Sequence, residues 1–79
     1  MYYLYVLESQ KNKRHYIGIA KDANMRLKNH NAGDVTSTKA YIPWRIVHIE
    51  VYNTKVDAAR RERKLKHHAW QRNELFKSL

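Results

Sequence analysis

The chain has 79 residues, no cysteine and a formal net charge of +9, from sixteen Lys and Arg against seven Asp and Glu. These values predict one small domain over residues 1–79, and they exclude disulfide bonds, thiol nucleophiles and zinc sites that use Cys. No apolar stretch approaches the ~20 residues that cross a bilayer, and no secretory signal pattern is present, so we expect a cytoplasmic protein.

The excess of positive charge predicts a polyanionic partner, because a field of this sign draws polyanions to the surface. Nucleic acid is the favoured partner, with DNA ahead of RNA, and an anionic membrane surface is the next candidate. A basic surface that only keeps the protein soluble also fits this composition. Charge therefore indicates a class of partner and leaves open whether the protein cuts, carries or coats it.

Two short strands are predicted at the start of the chain. Residues 2–7 form a run of aromatic and branched side chains, which favours a buried or half-buried strand. Residues 8–15 are polar and predict a hairpin connection to a second strand over residues 16–20. Gly18, inside this second strand, indicates a place where backbone or ligand approaches closely.

A helix is predicted directly after the hairpin. Asp22 is a residue type that commonly caps a helix N-terminus, and it predicts a helix over residues 23–31 that ends near Gly33. Residues 34–41 are polar, with two threonines and one serine. They predict an exposed loop.

Residues 44–52 predict a third strand, because Val47, Ile49 and Val51 alternate with more polar residues. This period of two places the three apolar side chains on a buried face and the residues between them on a polar face. The three predicted strands together favour one antiparallel sheet.

Two helices are predicted after the third strand. Thr54 is the expected N-cap of a helix over residues 55–68, and residues 70–79 form a short last helix or continue this one. The predicted element order is β-β-α-β-α-α. We therefore expect a small α+β domain, in which helices flank a three-stranded antiparallel sheet.

Glu62 departs from the apolar pattern of the second predicted helix. It shares one stripe with Ala58, Leu65 and Ala69, at steps of four, three and four residues, and this stripe should face the interior. A carboxylate in such a place needs an ion pair, hydrogen bonds or a cation. Two explanations stay open: Glu62 pairs with a nearby Arg or Lys, or it binds a hard divalent cation such as Mg²⁺.

Four short motifs follow one another along the chain. They are Tyr3-Leu4-Tyr5, Tyr16-Ile17-Gly18, Arg26-Leu27-Lys28-Asn29-His30, and Ala59-Arg60-Arg61-Glu62 followed by Leu65-Lys66. In this order and at these intervals they resemble the motifs of the GIY-YIG nuclease superfamily, and within it the small UPF0213 family. The resemblance covers nearly the whole chain and implies metal-dependent cleavage of phosphodiester bonds.

The resemblance also implies roles for individual residues. Glu62 is implied to bind one Mg²⁺ or Mn²⁺ ion, which stabilises charge on the phosphate and the leaving oxygen. Arg26 is implied to contact the scissile phosphate through its planar guanidinium. Tyr16 or Tyr5 is implied to orient or deprotonate the attacking water. His30 is implied to assist proton transfer, since imidazole titrates near neutrality.

Further phosphate contacts are expected from basic residues in and beside these motifs. The candidates are Lys21, Arg26, Lys28, Arg60, Arg61 and Lys66. No small-molecule cofactor is expected. The chain carries no additional DNA-binding domain of the kind that often directs such nucleases, which suggests that another protein supplies targeting.

Structural explanations compete with these roles. Tyr5 equally fits packing within its strand, and His30 equally fits a cation at the end of its helix. The leading hypothesis is a metal-dependent, endonuclease-type phosphodiesterase that acts on DNA in repair or processing, with structure-directed or weak sequence selectivity. The alternative is a basic nucleic-acid-binding protein that keeps the fold and does not cut. Attachment to a membrane is not expected, because the apolar stripe belongs to the core.

Overall fold

The computed structural model describes residues 1–79 and contains the six predicted elements in the predicted order. They are β1 Tyr2–Ser9, β2 His15–Ala20, α1 Ala23–Asn31, β3 Trp44–Tyr52, α2 Lys55–His67 and α3 Ala69–Lys77. The three strands form one antiparallel sheet in the order β2-β1-β3. The predicted α+β architecture is therefore confirmed.

The core lies on both faces of the central strand β1, because its side chains alternate between the two faces. Tyr5 and Leu7 belong to a buried cluster with Ala23 of α1. Leu4 and Val6 belong to a second cluster, which Leu65 of α2 completes and against which Phe76 of α3 packs. The sheet is thus a middle layer, with α1 on one face and α2 and α3 on the other.

The helix termini follow the expected capping chemistry. Asp22 Oδ1 accepts a hydrogen bond from the Met25 amide at 3.0 Å, and Thr54 Oγ1 accepts one from the Asp57 amide at 3.2 Å. Both bonds satisfy amides that have no partner inside their own helix. Gly33 follows α1 with a φ of +82°, a conformation that favours glycine.

The last helix is separate from α2. The backbone at His68 is extended, with φ −118° and ψ 92°, so α2 ends at His67 and a new helix begins at Ala69. The predicted stripe of the second helix therefore stops before Ala69, which is exposed. None of the three helices is long and apolar enough to cross a membrane.

The prediction of one buried face on β3 is wrong. Leu7 pairs with Ile46 and Val6 pairs with His48, so Val47 is an extra residue in the ladder. This bulge shifts the alternation by one residue. Val47 consequently packs in the cluster beneath α2 and α3, whereas Ile49 and Val51 lie on the opposite face and remain 44% and 55% exposed.

The segment predicted as an exposed loop is partly interior. Thr38 is 1% exposed, and residues 39–41 form a 3₁₀ turn. The indole Nε1 of Trp44 donates a hydrogen bond to the Thr38 carbonyl at 2.9 Å. The Asn31 side chain joins the end of α1 to the start of β3 by bonding both the amide and the carbonyl of Trp44, at 2.7 and 3.0 Å. These contacts hold the loop against the face of the sheet that α1 covers.

Candidate active site

A chain of three buried side chains lies between the sheet and α1. Tyr5 and His30 are 1% and 0% exposed, and Tyr5 Oη lies 3.1 Å from His30 Nε2. His30 Nδ1 lies 2.8 Å from Thr38 Oγ1, and the Thr38 hydroxyl donates to the Val35 carbonyl at 3.3 Å. Because this hydroxyl has one hydrogen, we assign the imidazole proton to Nδ1, which leaves Nε2 to accept from Tyr5.

The electrostatic environment supports this assignment. Burial raises the pKa of Tyr5, and the nearby Arg26 guanidinium opposes that shift. Burial also lowers the pKa of His30, and the charge of Arg26 lowers it further. At neutral pH the phenol of Tyr5 therefore carries its proton and the imidazole is uncharged. A neutral imidazole does not fit the alternative in which His30 caps its helix as a cation.

Gly18 makes room for this arrangement. It lies opposite Tyr5 in the β1–β2 ladder. A Cβ atom at this position would lie 2.5 Å from Tyr5 Oη, 2.6 Å from Tyr5 Cζ and 3.1 Å from Tyr16 Cε2. Contacts of this length are not tolerated, so the absence of a side chain allows both tyrosines their positions. The sequence predicted an approach of backbone or ligand at Gly18, and the groups that approach it here are the side chains of Tyr5 and Tyr16.

Tyr16 is the more accessible of the two tyrosines. Its ring is half-buried, with its centroid 4.8 Å from that of His30 and 6.3 Å from that of Tyr5. Tyr16 also borders an open surface cleft, whereas the side chain of Tyr5 is enclosed. The two rings are thus adjacent, and Tyr16 is the more accessible of them.

Arg26 supplies the positive charge of this site. It lies one helical turn before His30 on α1, and it is half-buried with no carboxylate partner. Its charge lowers the pKa of both Tyr5 and His30. An unpaired guanidinium beside two phenols is a suitable binding group for an anion, and for a phosphate in particular.

Glu62 approaches this group from α2. Ala58 and Leu65, its neighbours on the predicted stripe, are fully buried, whereas the Glu62 side chain is 23% exposed. Its Oε2 atom accepts a hydrogen bond from Lys66 Nζ at 3.1 Å. An ion pair with a nearby Lys, one of the two explanations that the sequence left open for Glu62, is therefore present. The charge of Glu62 also contributes to raising the pKa of Tyr5, so this carboxylate lies within electrostatic reach of the Tyr5 phenol.

The chemistry of Glu62 fits one hard divalent ion. No group of three His, Asp or Glu side chains could hold a metal. However, Mg²⁺ commonly binds to one or two carboxylates and takes its other ligands from water and substrate phosphates. Glu62 Oε1 makes no hydrogen bond within the protein, and the side chain is partly open to solvent. A metal that bound here would compete with the Lys66 ammonium.

The six predicted phosphate-binding residues do not share one surface. Lys21 and Lys28 are exposed, and Lys21 lines a cavity of about 310 Å³ on the α1 side. Arg60 is exposed and lies 3.4 Å from the carboxylate of Asp57. Lys66 lines a different cleft, beside Tyr16.

Arg61, one of the predicted phosphate contacts, forms an ion pair within the protein. Its Nε and Nη2 atoms donate to the two carboxylate oxygens of Glu50, at 3.0 and 3.2 Å. Tyr52 Oη and His48 Nε2 also bond this carboxylate, at 2.6 and 2.8 Å. Partial burial would raise the pKa of Glu50, but hydrogen bonds from these three side chains lower it to about 2. The Arg61 guanidinium therefore joins α2 to β3 and is not free to bind phosphate.

Sequence reasoning missed Thr38, whose hydroxyl oxygen accepts a hydrogen bond from Nδ1 of His30. Its only signal was a hydroxyl residue in a polar loop, and that signal favours the surface. Sequence reasoning also left open which residue pairs with Glu62. The spacing of four residues between Glu62 and Lys66 on one helix face was a readable signal for that pair.

Comparisons with known proteins agree with the resemblance. A family model described as the GIY-YIG catalytic domain matches residues 1–74. UPF0213 proteins of Staphylococcus aureus strains Mu3 and N315 are each 40% identical over 58 residues, which cover 72% of this chain and 71% of the relative. The solution NMR structure of a UPF0213 protein from Bacillus halodurans superposes with a TM-score of 0.59 at 30% identity, covering 99% of this chain and 84% of that one.

Proposed function

The chain belongs to the GIY-YIG family and to its UPF0213 branch, and we propose that it is a divalent-metal-dependent, endonuclease-type phosphodiesterase that acts on DNA. We further propose that its selectivity follows DNA structure more than sequence, and that it serves DNA repair or processing. The observation that carries the proposal is the meeting of Tyr16, the unpaired Arg26 and the buried Tyr5–His30 pair, with the Glu62 charge in reach.

In this proposal Arg26 binds the scissile phosphate. A guanidinium donates two parallel hydrogen bonds to phosphate oxygens, and the negative charge that builds up on them during hydrolysis strengthens those bonds. No carboxylate of the protein competes for Arg26. The guanidinium therefore has donors available for this purpose.

Tyr16 is proposed to orient the attacking water. In hydrolysis, the water oxygen attacks phosphorus and loses a proton to solvent, one P–O ester bond breaks, and the leaving oxygen takes up a proton from solvent to become a hydroxyl. Tyr16 reaches the surface cleft, whereas Tyr5 is enclosed and already donates its hydroxyl hydrogen to His30. We therefore assign the water-orienting role to Tyr16. Tyr5 and His30 become positioning residues that fix the Tyr16 ring.

Glu62 is proposed to hold one Mg²⁺ or Mn²⁺ ion. When bound, such an ion stabilises charge on the phosphate and on the leaving oxygen. Since Glu62 is the single carboxylate at the site, water and substrate oxygens would supply the remaining ligands. Metal affinity should therefore be weak without DNA and stronger with it.

A cleavage assay tests the proposal. Purified protein with Mg²⁺ or Mn²⁺ should nick or degrade single-stranded, duplex or branched DNA, and EDTA should abolish the products. Glu62→Gln should lower the rate by at least roughly 100-fold, because the neutral amide is a poor ligand for a hard cation. Glu74→Gln is the matched control, since it removes an exposed carboxylate on α3. Folded, clean protein that cuts none of the three DNA forms with either metal would contradict the proposal.

The Glu62–Lys66 ion pair favours one alternative function. A carboxylate that already has a cationic partner is compatible with a protein that binds nucleic acid and does not cut it. This alternative predicts salt-sensitive binding that needs no metal and survives Glu62→Gln without loss. Binding and cleavage measured on the same samples, with and without EDTA, separate the two functions.

A further inference from the structure

The surface cleft noted above at Tyr16 borders the candidate active site. Its volume is about 390 Å³, and its lining comes from β2, α2 and α3: His15, Tyr16, Ile17, Lys66, Arg72 and Phe76. Two of these residues connect it to the site already described. Tyr16 belongs to both, and Lys66 is the ion-pair partner of Glu62. These two residues place the cleft beside the candidate site.

The cleft is positively charged. Its lining includes Lys66 and Arg72 and no Asp or Glu. The guanidinium of Arg72 makes one hydrogen bond, from Nη1 to the Lys66 carbonyl at 3.4 Å, and has no carboxylate partner. Its other donors are free, in a planar arrangement that suits the oxygens of a phosphate.

The cleft also presents aromatic surface. The rings of His15 and Phe76 stack with their centroids 4.3 Å apart and their planes at 23°. His15 and Tyr16 come from β2 and Phe76 comes from α3, so two packed elements hold the rings. Aromatic side chains beside cationic groups are the combination that binds unpaired nucleotides, because bases stack on the rings while phosphates meet the charges.

We propose that this cleft binds one unpaired nucleotide next to the scissile phosphate, with its phosphate on Arg72 and Lys66 and its base against the His15–Phe76 stack. The placement of this nucleotide beside the cleaved bond rests on the proposed function. It names the substrate class: DNA with a single-stranded or frayed nucleotide beside the cleaved bond. A base that stays paired and stacked in a duplex cannot place its face on these rings.

NMR titration of the ¹⁵N-labelled full chain without divalent metal tests the cleft separately from catalysis. Thymidine 5′-monophosphate should shift the amide signals of Ile17, Arg72 and Phe76 in a saturable manner. Inorganic phosphate should act on Arg72 and bind more weakly, because it lacks a base. Equal affinity for the two probes, or shifts elsewhere in the chain, would overturn the proposal.

Paired variants sharpen this test. Arg72→Ala should weaken binding of the mononucleotide about tenfold, whereas Arg63→Ala, which removes an exposed arginine that lines no cavity, should leave it unchanged. Phe76→Leu keeps an apolar side chain and should weaken binding of the mononucleotide but not of phosphate. An equal effect of the two arginine variants would indicate non-specific attraction and would count against the cleft.

A longer probe places the cleft relative to the cut. A single strand of four thymidylates should shift the signals of Arg26 and Glu62 in addition to those of the cleft. Shifts confined to the cleft would indicate a site for free mononucleotides and would overturn its placement beside the scissile phosphate. If the protein cuts no DNA and still binds the strand in this way, the proposed function fails and the nucleotide cleft stands.

Discussion

At the scale of single residues, two neighbouring tyrosines differ in what surrounds them. Tyr5 is enclosed, and its hydroxyl bonds to an imidazole that is itself fully buried. The Tyr16 ring lies 4.8 Å from that imidazole, centroid to centroid, and the residue is half-buried beside an open cleft. The same chemical group is therefore suited to two tasks. In the proposed function Tyr5 positions its neighbours from the core, and Tyr16 contacts the ligand.

Thr38 is expected to act through this chain of hydrogen bonds. Thr38→Val keeps the shape of the side chain and leaves the Nδ1–H group of His30 without its acceptor at 0% exposure. We expect a loss of about 1–3 kcal/mol in the free energy of unfolding, because a buried donor is left unsatisfied. Urea denaturation measures this loss, and Thr38→Ser should restore most of it.

A positioning role for Thr38 predicts more than lost stability. In Thr38→Val the ¹⁵N signals of His30 should show a changed tautomer population, and kcat for DNA cleavage should fall while KM changes little. If the variant is destabilised but keeps the His30 tautomer population and kcat, Thr38 has a structural role alone.

At the scale of secondary-structure elements, α2 serves both the site and the fold. Its Glu62 lies within electrostatic reach of Tyr5, and its Arg61 bonds Glu50 on β3. The bidentate pair fixes how α2 sits on the sheet, and it therefore helps to determine where Glu62 lies. A basic run that looks like a DNA-binding face from its sequence has at least one member committed to this internal contact.

Glu50→Gln should test this connection through its pH dependence. The carboxyl pKa is about 2 in the folded protein against an ordinary value of 4.5, so its contribution is complete above pH 4.5 and is lost as pH falls toward 2. At neutral pH we expect the variant to be less stable by about 1–3 kcal/mol, a range that allows for solvent screening of this partly exposed pair. Between pH 4.5 and 2 its stability should fall less than that of the unaltered protein.

Tryptophan fluorescence during urea unfolding measures these stabilities at several pH values. Glu74→Gln, which alters a carboxylate that is 67% exposed, should give a curve parallel to that of the unaltered protein. If Glu50→Gln also gives a parallel curve, the ion pair contributes nothing measurable and α2 is held by apolar packing alone.

Elements whose ends are set by residues close to them in the sequence were predictable. The helix that follows Asp22 begins at Ala23 and ends at Asn31 as predicted, because its cap and its terminating glycine are encoded within a few residues. The bulge at Val47 has no such signal, since it depends on how β3 pairs with β1. A strict period of two therefore gave the wrong face for Ile49 and Val51.

The candidate site divides in the same way. The motifs that carry Tyr16, Arg26 and Glu62 were visible in the sequence, and so was the close approach at Gly18. The burial of Thr38 was not, because Trp44 draws that loop inward through a tertiary hydrogen bond. Local chemistry shows which groups are present, and the packing of distant elements decides which of them are free to react.

At the scale of the whole molecule, the charges divide into paired and unpaired groups. Six of the sixteen Lys and Arg side chains lie within 4.0 Å of a carboxylate: Lys13, Arg45, Arg60, Arg61, Lys66 and Lys77. The remaining ten have no such partner, and they include Arg26 at the site and Arg72 in the neighbouring cleft. The positive charge that attracts a polyanion therefore lies mainly on side chains that are free to neutralise phosphates.

This division predicts a steep dependence of DNA affinity on salt. If about four phosphates are neutralised, the logarithm of the association constant should fall with a slope of about −3.6 against the logarithm of salt concentration. Affinity should then drop roughly 100-fold between about 50 and 200 mM salt. Fluorescence anisotropy of a labelled strand in EDTA measures the slope without cleavage. Arg26→Ala should make it shallower by about 1, whereas Lys77→Ala, whose charge Glu74 already offsets, should change it less. A slope near zero would mean that the excess charge serves solubility, and that DNA is not the ligand.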